Sequence, residues 1–381
     1  MNVWPLLVLL LTSCMQTAAL PSSPVIESSS CYRFLPLDTP YRSLEQPISL
    51  PTVSRSPSNA VHALFIDETI LANAEAVGFD TIVHVLEWRR VNPAPGEFVW
   101  DWSDHWIEMA LEQDFNLVLR LDMPPDWAKR IDEPDSHGLP FDLPGYADFV
   151  EAAATRYKNG AISWIVWNEP NLAAEWSHSG DYLIFNYEAE LGRVAYPPNY
   201  AGVLGVAYDR IKTVDPEALV LAAGLAPTNE VSGRAMDDRL FLDQILAAGA
   251  GDCFDALAAH TYSYHESPAA AHQLDGLNLA RIEDLRSIML NHDLAEKPFW
   301  ITELGFTVED VVHRPVSLQD QADYLVESLM RVEQDWPFIT LTTVWNLQYG
   351  TEYDEEMRGY SLLDEDGNRR PSWTALQDFF D

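Results

Sequence analysis

From Val61 onward, short runs of apolar and β-branched residues take turns with stretches of helical period, and the alternation repeats eight times. The runs are Val61 to Ile66, Thr81 to Leu86, Leu117 to Leu121, Ile162 to Trp167, Ala218 to Ala223, Ala256 to Ala259, Phe299 to Thr302 and Leu341 to Trp345. Helical patterns such as Glu68 to Val77, Ser103 to Gln113, Tyr146 to Tyr157 and Leu318 to Glu333 lie between them. Repeated βα units close around a parallel sheet. The chain is therefore expected to be of the α/β class, a (β/α)8 TIM barrel forming a single domain over residues 59–381, because no linker interrupts the alternation.

Ahead of the barrel, residues 1–20 read as a signal peptide with a lipobox-like site, and residues 21–58 as a Ser/Pro-rich tether and strap. The apolar run Pro5-Leu6-Leu7-Val8-Leu9-Leu10-Leu11 is too short to span a bilayer. Leu11-Thr12-Ser13-Cys14 resembles the bacterial lipobox, in which the cysteine is lipidated, although no Lys or Arg precedes the apolar run. Cys14 is the candidate lipidation site, with an ordinary cleaved signal as the alternative. The expected location is outside the cell or at its surface, with membrane contact only through that anchor. Cys31 and Cys253 remain; an exported protein can join them, and two unpaired buried thiols are the other reading.

The formal net charge of -36 over 381 residues makes nucleic acid and anionic membranes poor partners, because the long-range field repels phosphates. Polyanionic glycans are disfavoured on the same ground. The plain reading of the acidity is a well-solvated surface. No glycine-rich phosphate loop appears and no Cys and His cluster has zinc spacing, so no cofactor or metal is expected.

Two glutamates stand directly behind apolar runs: Glu169, in Trp167-Asn168-Glu169-Pro170-Asn171, follows the fourth, and Glu303, in Trp300-Ile301-Thr302-Glu303-Leu304-Gly305-Phe306, follows the seventh. Barrel enzymes place reacting groups at the C-terminal ends of strands. Two carboxylates across a cleft are the minimum equipment for hydrolysing a glycosidic bond, one giving a proton and the other acting as nucleophile or base. Pro170 keeps Glu169 out of helical geometry. Ideal alternation sends Asn168 and Glu169 to opposite faces, so the chain has to bend at the rim if both are to address one site.

This pattern resembles the clan A retaining glycoside hydrolases over the whole barrel, family 39-like on the β-xylosidase branch or a related cellulase-like family. Other matching positions are His260-Thr261-Tyr262 after the sixth strand, Trp345 at the eighth, and Trp88 with Asn92-Pro93-Ala94-Pro95-Gly96-Glu97-Phe98 after the second. The closing segment Gly359-Tyr360-Ser361-Leu362-Leu363-Asp364 with Arg370-Pro371 matches as well. The resemblance implies an acid/base at Glu169 and a nucleophile at Glu303, with Asn168 on the sugar 2-hydroxyl and Tyr262 holding the Glu303 carboxylate. It further implies that His260 orients one of these groups or contacts sugar, and that Trp345 offers a face to a pyranose ring. Trp88 and Asp122 complete the candidate substrate contacts.

Each of the outer candidates has a second reading. Trp88 and Trp345 also read as core packing, and Arg120 with Asp122 either lines the mouth or forms a barrel-internal ion pair. The family's usual arginine near the second strand has no clear counterpart in Thr81-Ile82-Val83-His84-Val85. The long segment from Leu172 to about Pro198 carries Trp176, Tyr182, Phe185, Tyr187 and Tyr196, as subsite walls or as a packed loop core. The implied activity is cleavage of O-glycosidic bonds in β-linked neutral glycans or glycosides by double displacement, without a cofactor. Two other classes compete. A non-catalytic surface glycan-binding lipoprotein has both carboxylates against it, and a barrel lyase or aldolase would need a Schiff-base lysine or metal ligands at strand ends, where Lys129, Lys158, Lys212 and Lys297 do not fall.

Overall fold

A computed structural model describes residues 41–42, 44–130, 139–177, 195–310, 315–349 and 355–381. Eight strands, β1 (Asn59–His62), β2 (Thr81–Glu87), β3 (Asn116–Asp122), β4 (Ile162–Val166), β5 (Val220–Ala222), β6 (Ala256–Thr261), β7 (Phe299–Leu304) and β8 (Ile339–Val344), run parallel in chain order and close when β8 pairs with β1. The helices are α1 (Glu68–Val77), α2 (Trp88–Val91), α3 (Asp101–Glu112), α4 (Leu143–Arg156), α5 (Ala173–Ser177), α6 (Pro197–Val214), α7 (Asp238–Ala247), α8 (Ile282–Asn291), α9 (Leu318–Asp335), α10 (Glu355–Gly359) and α11 (Pro371–Phe380). This is the (β/α)8 barrel the alternation calls for. The first strand sits earlier than its apolar run, ending at His62, because the chain leaves the ladder after Ala63 bonds Val83 O at 3.0 Å.

Local chemistry ends and starts the helices where the strands need them. Asp67 caps α1 by accepting from Ile70 N at 2.8 Å, and Gly78, at φ 108°, stops it. Asp142 accepts from Gly145 N at 2.9 Å to start α4, whose first turn holds Pro144. Ser317 and Asp320 cap α9 reciprocally. Among the described residues, no helix is long and apolar enough to cross a membrane.

The barrel wall separates two apolar regions. Inside lie Ala60, Val83, Val118, Ile165, Leu221, Ala256, Ala258, Trp300 and Leu341; outside, a larger core fills the space between strands and helices. Trp88 belongs to the outer core, which corrects its reading as a substrate contact. It opens α2 directly behind β2, is 0% exposed, and packs on Trp127, Tyr146 and Phe149 at ring distances of 5.7, 5.4 and 5.8 Å, away from the barrel axis. Trp176 likewise packs on Phe141 and Trp167 rather than walling a subsite. Tyr196 is exposed, and Tyr182, Phe185 and Tyr187 lie outside the described residues.

The strap crosses the end of the barrel opposite the strand tips. Trp100 Nε1 donates to Glu45 at 3.0 Å, Ile48 N to Arg156 O at 3.1 Å, Asn159 Nδ2 to Pro51 O at 2.9 Å and Asn116 Nδ2 to Arg55 O at 3.2 Å, which fixes it over α3, α4 and the starts of β3 and β4. Cys253, buried just before β6 at this same end, is disulfide-bonded. Two free thiols are thereby removed as a reading of Cys253; Cys31, Cys14 and the leader lie outside the described residues.

Candidate active site

Beyond β4 the chain bends as its sequence requires. Trp167 and Glu169 both take positive φ, 72° and 35°, on either side of Asn168, a conformation uncommon for residues with side chains and concentrated at functional sites. The bend sends Trp167 outward to stack on Phe141 at 4.6 Å and leaves Asn168 and Glu169 on the inner side. It is pinned from three directions. Trp167 N bonds Leu121 O at 3.2 Å, Glu169 N bonds Gly224 O at 3.1 Å, and the buried Asn171 amide exchanges bonds with Ala226 and Met236.

Glu303 arrives by a different device. On β7, Ile301 pairs with Ala259 but Glu303 pairs with the next residue, His260, so Thr302 is an extra residue on the strand, and the ladder with β8 slips at the same place. A bulge of this kind breaks the alternation of faces. Trp300 faces in and Ile301 out, then Thr302 and Glu303 both line the interior cavity before Leu304 returns outward.

The two glutamates meet at His260. Its Nδ1 lies 2.7 Å from Glu169 Oε1 and 3.5 Å from Glu303 Oε2, and one carboxylate oxygen of each glutamate lies within 4.8 Å of the other. Tyr262 donates its hydroxyl to Glu303 Oε2, and Arg120 Nη1 stands 3.4 Å from Glu303 Oε1 while donating to Asn168 Oδ1 at 2.9 Å. The guanidinium beside Glu303 comes from β3. Asp122 takes Arg120 Nε at 2.8 Å and is only 2% exposed, so it anchors the guanidinium; this corrects its reading as a substrate contact, because the strand turns it toward Arg120 and away from solvent. Gly224 makes room for the histidine, since a Cβ there would stand 2.3 Å from the His260 ring.

Trp345 lies at the rim, 8% exposed, in an aromatic group with Tyr349 and Tyr360, and its ring centroid is 4.3 Å from that of His62 on the cavity floor. The closing segment is fastened to it through Leu362 N, which bonds Asn346 O at 3.0 Å, while Tyr360 packs on Tyr262. Two polar residues of the site carry no signal in the sequence pattern. His62 follows Val61 at the end of β1, and Glu175, on α5, accepts a bond from Asn168 Nδ2 at 3.1 Å. Only convergence in space reveals either.

Burial dominates the electrostatics. It raises the Glu303 carboxyl, as does the charge of Glu169, while His260, Arg120 and the Tyr262 hydroxyl work in the opposite direction. Burial and the Glu303 charge push Tyr262 far up, so it stays a hydroxyl donor. For His260, burial disfavours the cation, but Glu303 and Glu169 outweigh it and its pKa rises. Burial and Arg120 drive His62 well below the ordinary histidine value, leaving a neutral ring. Glu169, His260 and Glu303 have donor atoms close enough to hold a cation, yet those atoms are already engaged with one another and with Tyr262.

Among solved structures, the chain is similar to a family 39 glycoside hydrolase from the gut symbiont Bacteroides cellulosilyticus WH2, with a TM-score of 0.61 at 19% identity over 87% of this chain and 65% of that one. The two share the (β/α)8 barrel fold. A family 39 β-xylosidase from Caulobacter crescentus gives 0.59 at 19% identity over 87% of this chain and 73% of that one. A GH5_18 protein from Bifidobacterium longum subsp. infantis gives 0.59 at 12% over 82% and 72%. The chain spans less than two thirds of the length of the first of these. No protein-family model and no curated protein matches the sequence.

Proposed function

We propose that this protein is a retaining glycoside hydrolase that cleaves β-linked neutral glycans or glycosides. The observation that carries the proposal is the approach of the two carboxylates to within 4.8 Å. Retaining enzymes hold their carboxyl groups about 5 to 5.5 Å apart, whereas inverting ones need roughly 6.5 to 9.5 Å to admit a water. In the first step Glu303 attacks the anomeric carbon while Glu169 gives its proton to the departing glycosidic oxygen. In the second, Glu169 takes a proton from water as that water's oxygen displaces Glu303 from the same carbon, so configuration is kept. Arg120 and Tyr262 hold Glu303 by one oxygen each, which leaves its attack direction little freedom. Neutral sugars are favoured because the cleft gathers carboxylates and the Arg120 guanidinium is already committed to Asp122, Asn168 and Glu303. The β-xylosidase among the structural neighbours supports β-linked substrates.

Azide separates the two roles. Glu303→Ala should abolish turnover of every β-glycoside, with azide restoring some activity and giving the inverted glycosyl azide. Glu169→Ala should lose about 10²- to 10⁴-fold on substrates with poor leaving groups, still react with dinitrophenyl glycosides, and give an azide product of retained configuration. The opposite pattern exchanges the roles; two variants as active as wild type remove the proposal.

A further inference from the structure

A third carboxylate belongs to the same cleft. Glu175 Oε2 accepts from Asn168 Nδ2 at 3.1 Å, and its backbone oxygen accepts from Trp167 Nε1 at 3.2 Å. Both ends of the residue are therefore tied to the bend that delivers Glu169. Chemistry fixes the Asn168 amide: Arg120 only donates, so Oδ1 must face it and Nδ2 must face Glu175. Clamped at both ends, the amide keeps one N–H for a ligand.

Among the described residues, the charged groups that bear on Glu175 are Glu169 from the β4 rim and Arg120 and Asp122 from β3. The latter two are paired with each other, and Glu169 is paired with His260 at 2.7 Å. Burial, and then Glu169, push the Glu175 carboxyl up to about 7.

We propose that Glu175 is a positioning residue for the reaction: its carboxyl oxygen holds the Asn168 amide so that the free N–H points to the sugar 2-hydroxyl. This rests on the cleft being that of a glycoside hydrolase.

The test compares kcat/KM of the full chain with that of Glu175→Ala and Glu175→Gln on aryl β-glycosides and on their 2-deoxy analogues. Glu175→Ala should lose roughly tenfold on the 2-hydroxy substrates and keep its activity on the 2-deoxy ones, since only the former use the Asn168 amide. Glu175→Gln, whose amide oxygen still accepts from Asn168, should recover most of that loss. If Glu175→Ala fails to fold, Glu175→Leu is read in its place, with a melting curve to show that it is folded. An active wild type whose variants lose nothing, or lose equally on both substrate series, overturns the proposal and leaves the glycosidase standing. A wild type that cleaves no glycoside overturns both.

Discussion

The lower and upper parts of the barrel interior are built from the same strands, two residues apart, and differ in nearly every physical respect. Ala60, Val118, Ala258 and Trp300 lie in the lower part; one step up, the same strands present His62, Arg120, His260 and Thr302. Below, the side chains are apolar and the bulk of Trp300 is set among alanines, with its N–H satisfied by Thr340 at 2.9 Å. Above, the residues are as deeply buried but polar. Neither ring nitrogen of His62 has a hydrogen-bond partner among the described residues, nor do the hydroxyls of Thr302 and Thr343. Each such group costs about 1–3 kcal/mol until something bonds it. The lower part secures the fold, and the upper spends some of that stability on groups that only a ligand or water can satisfy.

Three substitutions test this division, beginning with the largest expected effect. Arg120→Met leaves Asp122 buried without its partner and releases Asn168 and Glu303. The expectation is a fall of about 10²- to 10³-fold in kcat/KM together with about 3–5 kcal/mol of unfolding free energy, read by steady-state kinetics and urea titration. Loss in only one of the two would show that Arg120 serves a single part. Trp300→Ala should cost about 3–5 kcal/mol in the same titration while the folded fraction keeps its kcat within about threefold. A parallel collapse in activity would mean that the lower part is not independent of the upper. Gly224→Ala places a methyl against the His260 ring and sharpens the comparison from the other side: roughly ten- to a hundredfold lower activity for about 1 kcal/mol of stability.

The strands of the lower part were legible in the sequence because a parallel barrel strand, buried on both faces, writes itself as an apolar run whatever its neighbours are. Glu169 and Glu303 were legible for a related reason: a carboxylate ending such a run has few places to go except the mouth. The converse holds for Trp88. An aromatic residue just behind a strand can fall on either side of the wall, and nothing local says that α2 turns it toward α4. Asp122 looked like a mouth residue because alternation puts it on the inner face, yet its engagement with Arg120 depends on where the guanidinium reaches. Glu175 was invisible, since its importance comes from Asn168, whose own orientation depends on two positive φ values that no spacing announces.

The extra residue at Thr302 bears on height rather than on facing. Deleting it would restore plain alternation, with Glu303 following Ile301 directly and still inward, but one residue lower along the axis, about 3.3 Å down. There the carboxylate would sink below the level at which Tyr262 and Glu169 now meet it. The bulge is a shim: it lifts one functional group by the rise of a single residue and leaves Leu304 and everything after it facing as before, so the elevation of the reacting atom can be adjusted without rethreading the strand.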